Sequence, residues 1–260
     1  MNNGNVGLVF ITGASSGIGQ ALALRYYQAG YRLALTARRA EVMEVWATEQ
    51  GLKSHDYAIY KADVADTDSI VAAAQACIAQ QGLPDIVIAN AGISIGIDTA
   101  QRDDIDAMAR VFATNNIGLA ASFHPFIQAM RVRGSGHLVG IASVAGIRGL
   151  PGHAAYCASK AAVISYCEAL RGELRGTGVR VITIAPGYVD TPLTRKNRYP
   201  MPFLMSAANF ADQAFRAIAN SDSYRVIPWQ MNIISRLMRL IPNILWDRIL
   251  ARQPRKHRGT

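Results

Sequence analysis

Thr12-Gly13-Ala14-Ser15-Ser16-Gly17-Ile18-Gly19 follows directly on the apolar run Val6 to Thr12, and a helical pattern, Gly17 to Ala29, begins inside it. A pyrophosphate needs backbone N–H groups at close range and the positive end of a helix dipole, so the residues at such a turn must lack bulk. Gly13 permits the sharp turn, Gly17 lets the backbone approach phosphate, and Gly19 lets helix and sheet pack closely. A glycine-rich turn alone is also compatible with a plain βα connection. Its place after the first strand gives it weight.

Working outward, further strand-like runs appear at Arg32 to Ala37, His55 to Lys61, Ile86 to Asn90, Gly136 to Ile141 and Arg180 to Ala185. Several are unbroken Val/Ile/Leu/Ala runs, as expected of parallel strands buried on both faces. Between them lie segments long enough for crossover helices, among them Asp66 to Gln81, Asp104 to Arg131 and Ala155 to Arg175. The expected fold is α/β: a Rossmann-type, doubly wound parallel sheet with helices on both faces, over residues 1–228. A basic amphipathic helical extension, 229–260, follows it.

The composition, 50% hydrophobic with 17% charged residues, is globular. The net charge of +9 is uneven. From Tyr224 to Thr260 eight Lys or Arg residues face one acid, Asp247, for +7, which leaves +2 for the first 223 residues. A basic end on a near-neutral body argues against a nucleic-acid groove. Cys77, Cys157 and Cys167 form neither a disulfide framework nor a metal pattern, and His124, His137 and His153 lack metal-ligand spacing, so no metal is expected. Together with opening residues that lack a basic segment before a long apolar run, this makes the cytosol the expected compartment.

Two further groups carry chemistry. The second strand ends in Thr36-Ala37-Arg38-Arg39, with no acid to pair with a ribose 2′-OH and two guanidiniums suited to a 2′-phosphate. The lesser alternative is a pair of solvated surface arginines. In Tyr156-Cys157-Ala158-Ser159-Lys160, Tyr and Lys share one helix face, where an ammonium favours a phenolate and brings Tyr156 toward the range useful for proton transfer. Thirteen residues upstream, Ser143 stands just past the fifth strand, able to hold a carbonyl oxygen beside Tyr156 or simply to cap the next turn.

The set resembles the short-chain dehydrogenase/reductase family, over roughly residues 5–192. The glycine turn matches the family's Thr-Gly-x-x-x-Gly-x-Gly, with Ser15, Ser16 and Ile18 among its cofactor contacts. Asp63-Val64 corresponds to the pair beside the adenine. Asn90-Ala91-Gly92 matches the family's Asn-Asn-Ala-Gly except that Ala89 replaces the first Asn. Asn115-Asn116-Ile117-Gly118 supplies the family's Asn-x-x-Gly, framed on Asn115, and Pro186, Gly187, Val189 and Thr191 lie in the segment around the nicotinamide amide.

The resemblance implies an NADP(H)-dependent oxidoreductase that interconverts an alcohol and a carbonyl. Tyr156 would move the proton, Ser143 would orient the oxygen, Lys160 would lower the Tyr156 pKa and hold the nicotinamide ribose, and Asn115 would support a water leading from Lys160 to solvent. It also implies a homodimer built on the helices bearing Asn115 and Tyr156, and a lid near residues 188–210. Leu193, Met201, Phe203, Leu204, Met205 and Phe210 there suit an apolar substrate or merely pack the lid. The other reading is a catalytically silent NADP-binding sensor or scaffold.

From about Asn232 to Arg252, apolar residues recur at helical spacing among arginines, interrupted at Pro242. With Trp229, Trp246 and Arg255-Lys256-His257-Arg258 nearby, this segment suits peripheral contact with an anionic membrane or packing on the body.

Overall fold

The computed structural model describes residues 7–195, 197, 200–251, 256 and 258. Val6 of the first run, and Arg252, Arg255 and His257 of the basic end, lie outside the described residues. Strands and helices alternate from the start: β1 Leu8–Thr12, α1 Gly17–Gln28, β2 Arg32–Ala37, α2 Ala40–Glu49, β3 Tyr57–Lys61, α3 Thr67–Gln81 and β4 Ile86–Ala89. Then come α4 Asp103–Phe112, α5 Gly118–Arg133, β5 Gly136–Ile141, α6 Ala154–Glu173 and β6 Val179–Pro186. The chain finishes with β7 Val189–Asp190, β8 Met205–Ser206, α7 Ala207–Ala219, β9 Tyr224–Ile227, α8 Trp229–Leu240 and α9 Asn243–Leu250.

Seven parallel strands form one sheet in the order β3-β2-β1-β4-β5-β6-β9, and β7 pairs with β8 apart from it. Because strand side chains alternate, β1 sends Phe10 to one face and Val9 and Ile11 to the other, and both faces are apolar and covered. On the Phe10 side lie Val87, Leu138, Phe126 and Val163. The Val9 side packs against Leu22, Met43 and Ala214. Each large side chain so buried contributes about 1.5–3 kcal/mol, which makes the sheet a rigid base for the loops at its carboxyl edge.

Three elements depart from the sequence expectations. The third strand begins at Tyr57, because His55 and Asp56 belong to the turn before it. The single helix expected over Asp104 to Arg131 is two, α4 and α5, joined by a π-helical turn at Ala113–Ile117. That turn contains Asn115, whose side chain bonds outside the helix and makes the wider winding worthwhile. Finally, Phe210 is not a lid residue: it is fully buried in α7 against the sheet.

Candidate active site

The strands β1, β4, β5 and β6 all end at one edge of the sheet, and a cleft of about 310 Å³ opens there. Its walls bring together Gly13, Ser15, Ser16, Gly17, Ile18, Arg38, Arg39, Asp63, Val64, Asn90, Ala91 and Gly92 from the first half of the chain. From the second half come Ser143, Tyr156, Lys160, Pro186, Gly187, Val189 and Thr191. Of the residues singled out in the sequence, Gly19 and Asn115 stand behind the walls.

The glycine turn is built for close approach. Gly13 and Gly17 sit at φ +66° and +55°, a region costly for residues with a Cβ. A Cβ on Gly19 would fall 2.2 Å from the Gly13 carbonyl oxygen, so this glycine serves packing of the turn on itself. Asn90 fastens the turn to β4: its Nδ2 donates to the carbonyls of Thr12 (3.0 Å) and Gly13 (3.2 Å). The Thr12 hydroxyl in turn accepts from the Asn90 and Ala91 amides at 3.1 and 3.2 Å. Ala89 is buried in the core, so the departure there leaves this tie intact. Ser16, the residue before α1, places no side-chain cap on the helix, and the first turn carries no acid. The free amides of α1 and its positive end therefore face the cleft, which fits a phosphate group.

At the end of β2, Arg38 and Arg39 are exposed on the rim, and Arg38 lies 3.8 Å from Asp63 in a loose ion pair. Asp63 is the one acid lining the cleft among the described residues. The rim thus keeps a surplus of positive charge.

On the opposite wall, Ser143 begins a short 3₁₀ turn, Val144–Gly146, and its Oγ accepts from the Ala145 amide at 3.1 Å. The same side chain stands beside Tyr156 in the cleft wall. Capping and facing the phenol are therefore done by one side chain. Burial pushes the Tyr156 hydroxyl up to about 12, with Ser143 pulling the other way. The Lys160 ammonium donates to the Ile141 carbonyl at 2.9 Å and lies 5.8 Å from the Tyr156 ring centre, and burial sets the net direction of the Tyr156 shift. Burial in turn brings Lys160 down to about 8.

Asn115 is buried and fully engaged. Its Oδ1 accepts from the Ile93 amide (2.8 Å), and its Nδ2 donates to the Ile93 carbonyl (3.0 Å) and to Ser159 Oγ (2.9 Å). It thereby ties the segment after β4 to the helix that carries Tyr156 and Lys160. A Cβ on Gly92 would sit 3.3 Å from Asn115 Oδ1 and 3.4 Å from Lys160 Nζ, so both polar groups converge on the place that glycine leaves open. Asn116, its neighbour, donates to the Ser159 carbonyl at 2.8 Å and does not line the cleft.

The cleft also uses residues not singled out in the sequence as site residues, including Thr36, Thr114, Ile141 and Thr194. Thr194 had one available clue, its i,i+3 spacing from Thr191. Its Oγ1 accepts from the Thr191 amide at 3.0 Å and lies 3.2 Å from the Thr191 hydroxyl, closing the turn after β7.

Comparison with known proteins agrees with this layout. Residues 7–201 match the family described as short chain dehydrogenase. An uncharacterized oxidoreductase of Myxococcus xanthus is 38% identical over 237 residues, 91% of this chain and 93% of that protein. A short chain dehydrogenase/reductase of Burkholderia phymatum, solved in complex with NAD, superposes with a TM-score of 0.82 at 24% identity over all of both chains. A short-chain dehydrogenase of Sphingobium yanoikuyae, solved in complex with NADPH, gives 0.77 at 25% identity over 92% of this chain and 97% of that one. With a family match over most of its length, a relative similar end to end, and the same seven-stranded frame, this chain belongs to the short-chain dehydrogenase family.

Proposed function

We propose that the chain is an NADP(H)-dependent oxidoreductase that interconverts a carbonyl and an alcohol. The observation that carries this reading is the meeting, in one cleft, of the Ser143–Tyr156–Lys160 wall with an uncapped helix terminus and the Arg38–Arg39 rim. Bound there, a nicotinamide cofactor supplies or accepts the hydride. The protein's own residues do the rest. Tyr156, protonated at neutral pH, donates to a carbonyl oxygen, and Ser143 orients that oxygen toward it. Lys160 would hold the nicotinamide ribose, and Asn115 positions α6 against the segment after β4.

The preference for NADP over NAD rests on Arg38 and Arg39 in the absence of an acid at the end of β2. Solved relatives hold either cofactor, NADPH in one and NAD in the other. The substrate is proposed to be apolar, since Leu193, Phe203 and Leu204 are exposed in the segment between β6 and α7. The silent sensor or scaffold is disfavoured because its cleft would have no need of Ser143, Tyr156 and Lys160 together.

Fluorescence titration with NADPH and NADH tests the cofactor assignment. NADPH should bind at least about tenfold more tightly, and Arg38→Ala with Arg39→Ala should erase the difference while leaving NADH unchanged. Equal affinity in the unmodified protein would contradict it.

A further inference from the structure

We propose that α8 and α9 form a docking face for an anionic lipid surface, an inference that does not depend on the cofactor or substrate. The two helices turn one side to the body and another outward. In α8, Met231 and Ser235 are buried, and the helix begins against Gly187, where an added Cβ would meet Met231 Cγ at 2.8 Å. The outward side is not polar. Trp229, Ile233, Leu237 and Leu240 recur at helical spacing along it, Ile244, Leu245 and Ile249 are exposed in α9, and Leu240 and Ile244 are 78% and 71% exposed. A run of large apolar side chains facing water on a helix that already has a buried side is unusual for a surface with no partner.

The pair is held in a fixed pose. Arg148 donates to the carbonyls of Met238 and Ile241 and to Asn243 Oδ1, so it ties the end of α8 to the start of α9. Its guanidinium also lies 4.5 Å from the Trp246 ring centre, and Trp246 Nε1 donates to the Gly149 carbonyl at 3.2 Å. The apolar side is therefore not a frayed end awaiting a place on the body. Nor do Lys256 and Arg258 cover it, because they dock on Ser94 and Asp104.

Charge decides among the possible occupants. Arg236, Arg239 and Arg248 are exposed on the same helices, and the one acid from Tyr224 onward is Asp247. A second copy meeting this face would set those arginines against their own kind. An anionic headgroup layer instead takes up the arginines while the acyl boundary accepts the apolar side chains, and Trp229 suits the boundary between them. The contact is peripheral: among the described residues no helix is long and apolar enough to cross a membrane.

The test is co-sedimentation of the full chain with phosphatidylcholine vesicles with and without phosphatidylserine. Wild type should bind the serine-containing vesicles and lose most of that binding at high salt. Leu240→Glu with Ile244→Glu, at positions too exposed to disturb folding, should reduce binding at least about tenfold. Arg236→Gln with Arg239→Gln should reduce it by about fivefold per arginine, and only on anionic vesicles. Absence of binding at low salt, or equal binding by the wild type and both variants, overturns the proposal. So does an oligomer that the Leu240→Glu/Ile244→Glu pair dissociates without any vesicle effect, which would give the face to a second copy.

Discussion

Lys160 donates to the Ile141 carbonyl from a buried position, and burial governs how Tyr156 and Lys160 titrate. With Tyr156 held at about 12, the phenol is the protonated form throughout the neutral range, as a donor to a carbonyl must be. Lys160, brought down to about 8, is charged below that value and neutral above it. Carbonyl reduction should accordingly hold steady below about pH 8 and decline above it, the fall tracking Lys160 rather than Tyr156; a steady-state pH profile of kcat/KM checks this. Lys160→Met should remove the decline together with most of the activity. The identities of these residues were legible in the sequence because Tyr and Lys four apart, with Ser143 upstream, make a rare combination. Their electrostatics were not, because the balance between a neighbouring charge and burial depends on where the ammonium points. Asn115 shows the same limit: its type and frame could be read, but its hydrogen bonds run to Ile93 and Ser159, twenty-two and forty-four residues away.

Among the elements, strands and crossover helices were readable from unbroken apolar runs and glycine punctuation, whereas the π-turn between α4 and α5 was not, since helical periodicity looks continuous across it. The seat of the basic end was equally hidden, being decided by partners about 150 residues away. Arg258 makes a paired contact with Asp104, at 2.8 and 3.0 Å, and Lys256 donates to the carbonyl and hydroxyl of Ser94 at 2.9 and 2.7 Å. Asp104 also accepts from the Asp98 amide at 2.6 Å, so it fastens both the tail and the loop before α4. The Arg258 hydrogen bonds hold the Asp104 carboxyl below its ordinary value. A carboxylate so lowered stabilises the docked tail above its ordinary pKa, and that support is lost as pH falls through the lowered one. Asp104→Asn should therefore free the tail at neutral pH. Trypsin should cleave near Arg258 faster in the variant than in wild type at neutral pH, and in the wild type acid-pulse hydrogen exchange should find the tail released only in strong acid. Unchanged cleavage in the variant would mean that the tail is held by something else.

At the scale of the molecule, the doubly wound sheet puts every loop that matters at one edge, which is why motifs scattered from residue 12 to residue 191 could be read as a single site. The helices α5 and α6 leave a side free that is suited to a second subunit: Ser165, Ala169 and Gly172 are exposed along the later turns of α6, small enough for close helix packing. Sedimentation velocity should find a homodimer at micromolar concentration, and Ala169→Arg should shift it toward monomer; a wild-type monomer would rule out that assembly. The account as a whole rests on proton transfer by Tyr156 during hydride exchange, and it is tested most directly by following NADPH consumption across a panel of apolar ketones and aldehydes with wild type and Tyr156→Phe. Turnover by the wild type, with a loss of about a thousandfold or more in the variant at unchanged NADPH affinity, a barrier increase of ~4 kcal/mol, is the predicted result. A variant within about tenfold of wild type, or a wild type that binds NADPH and turns over none of the panel, would contradict it.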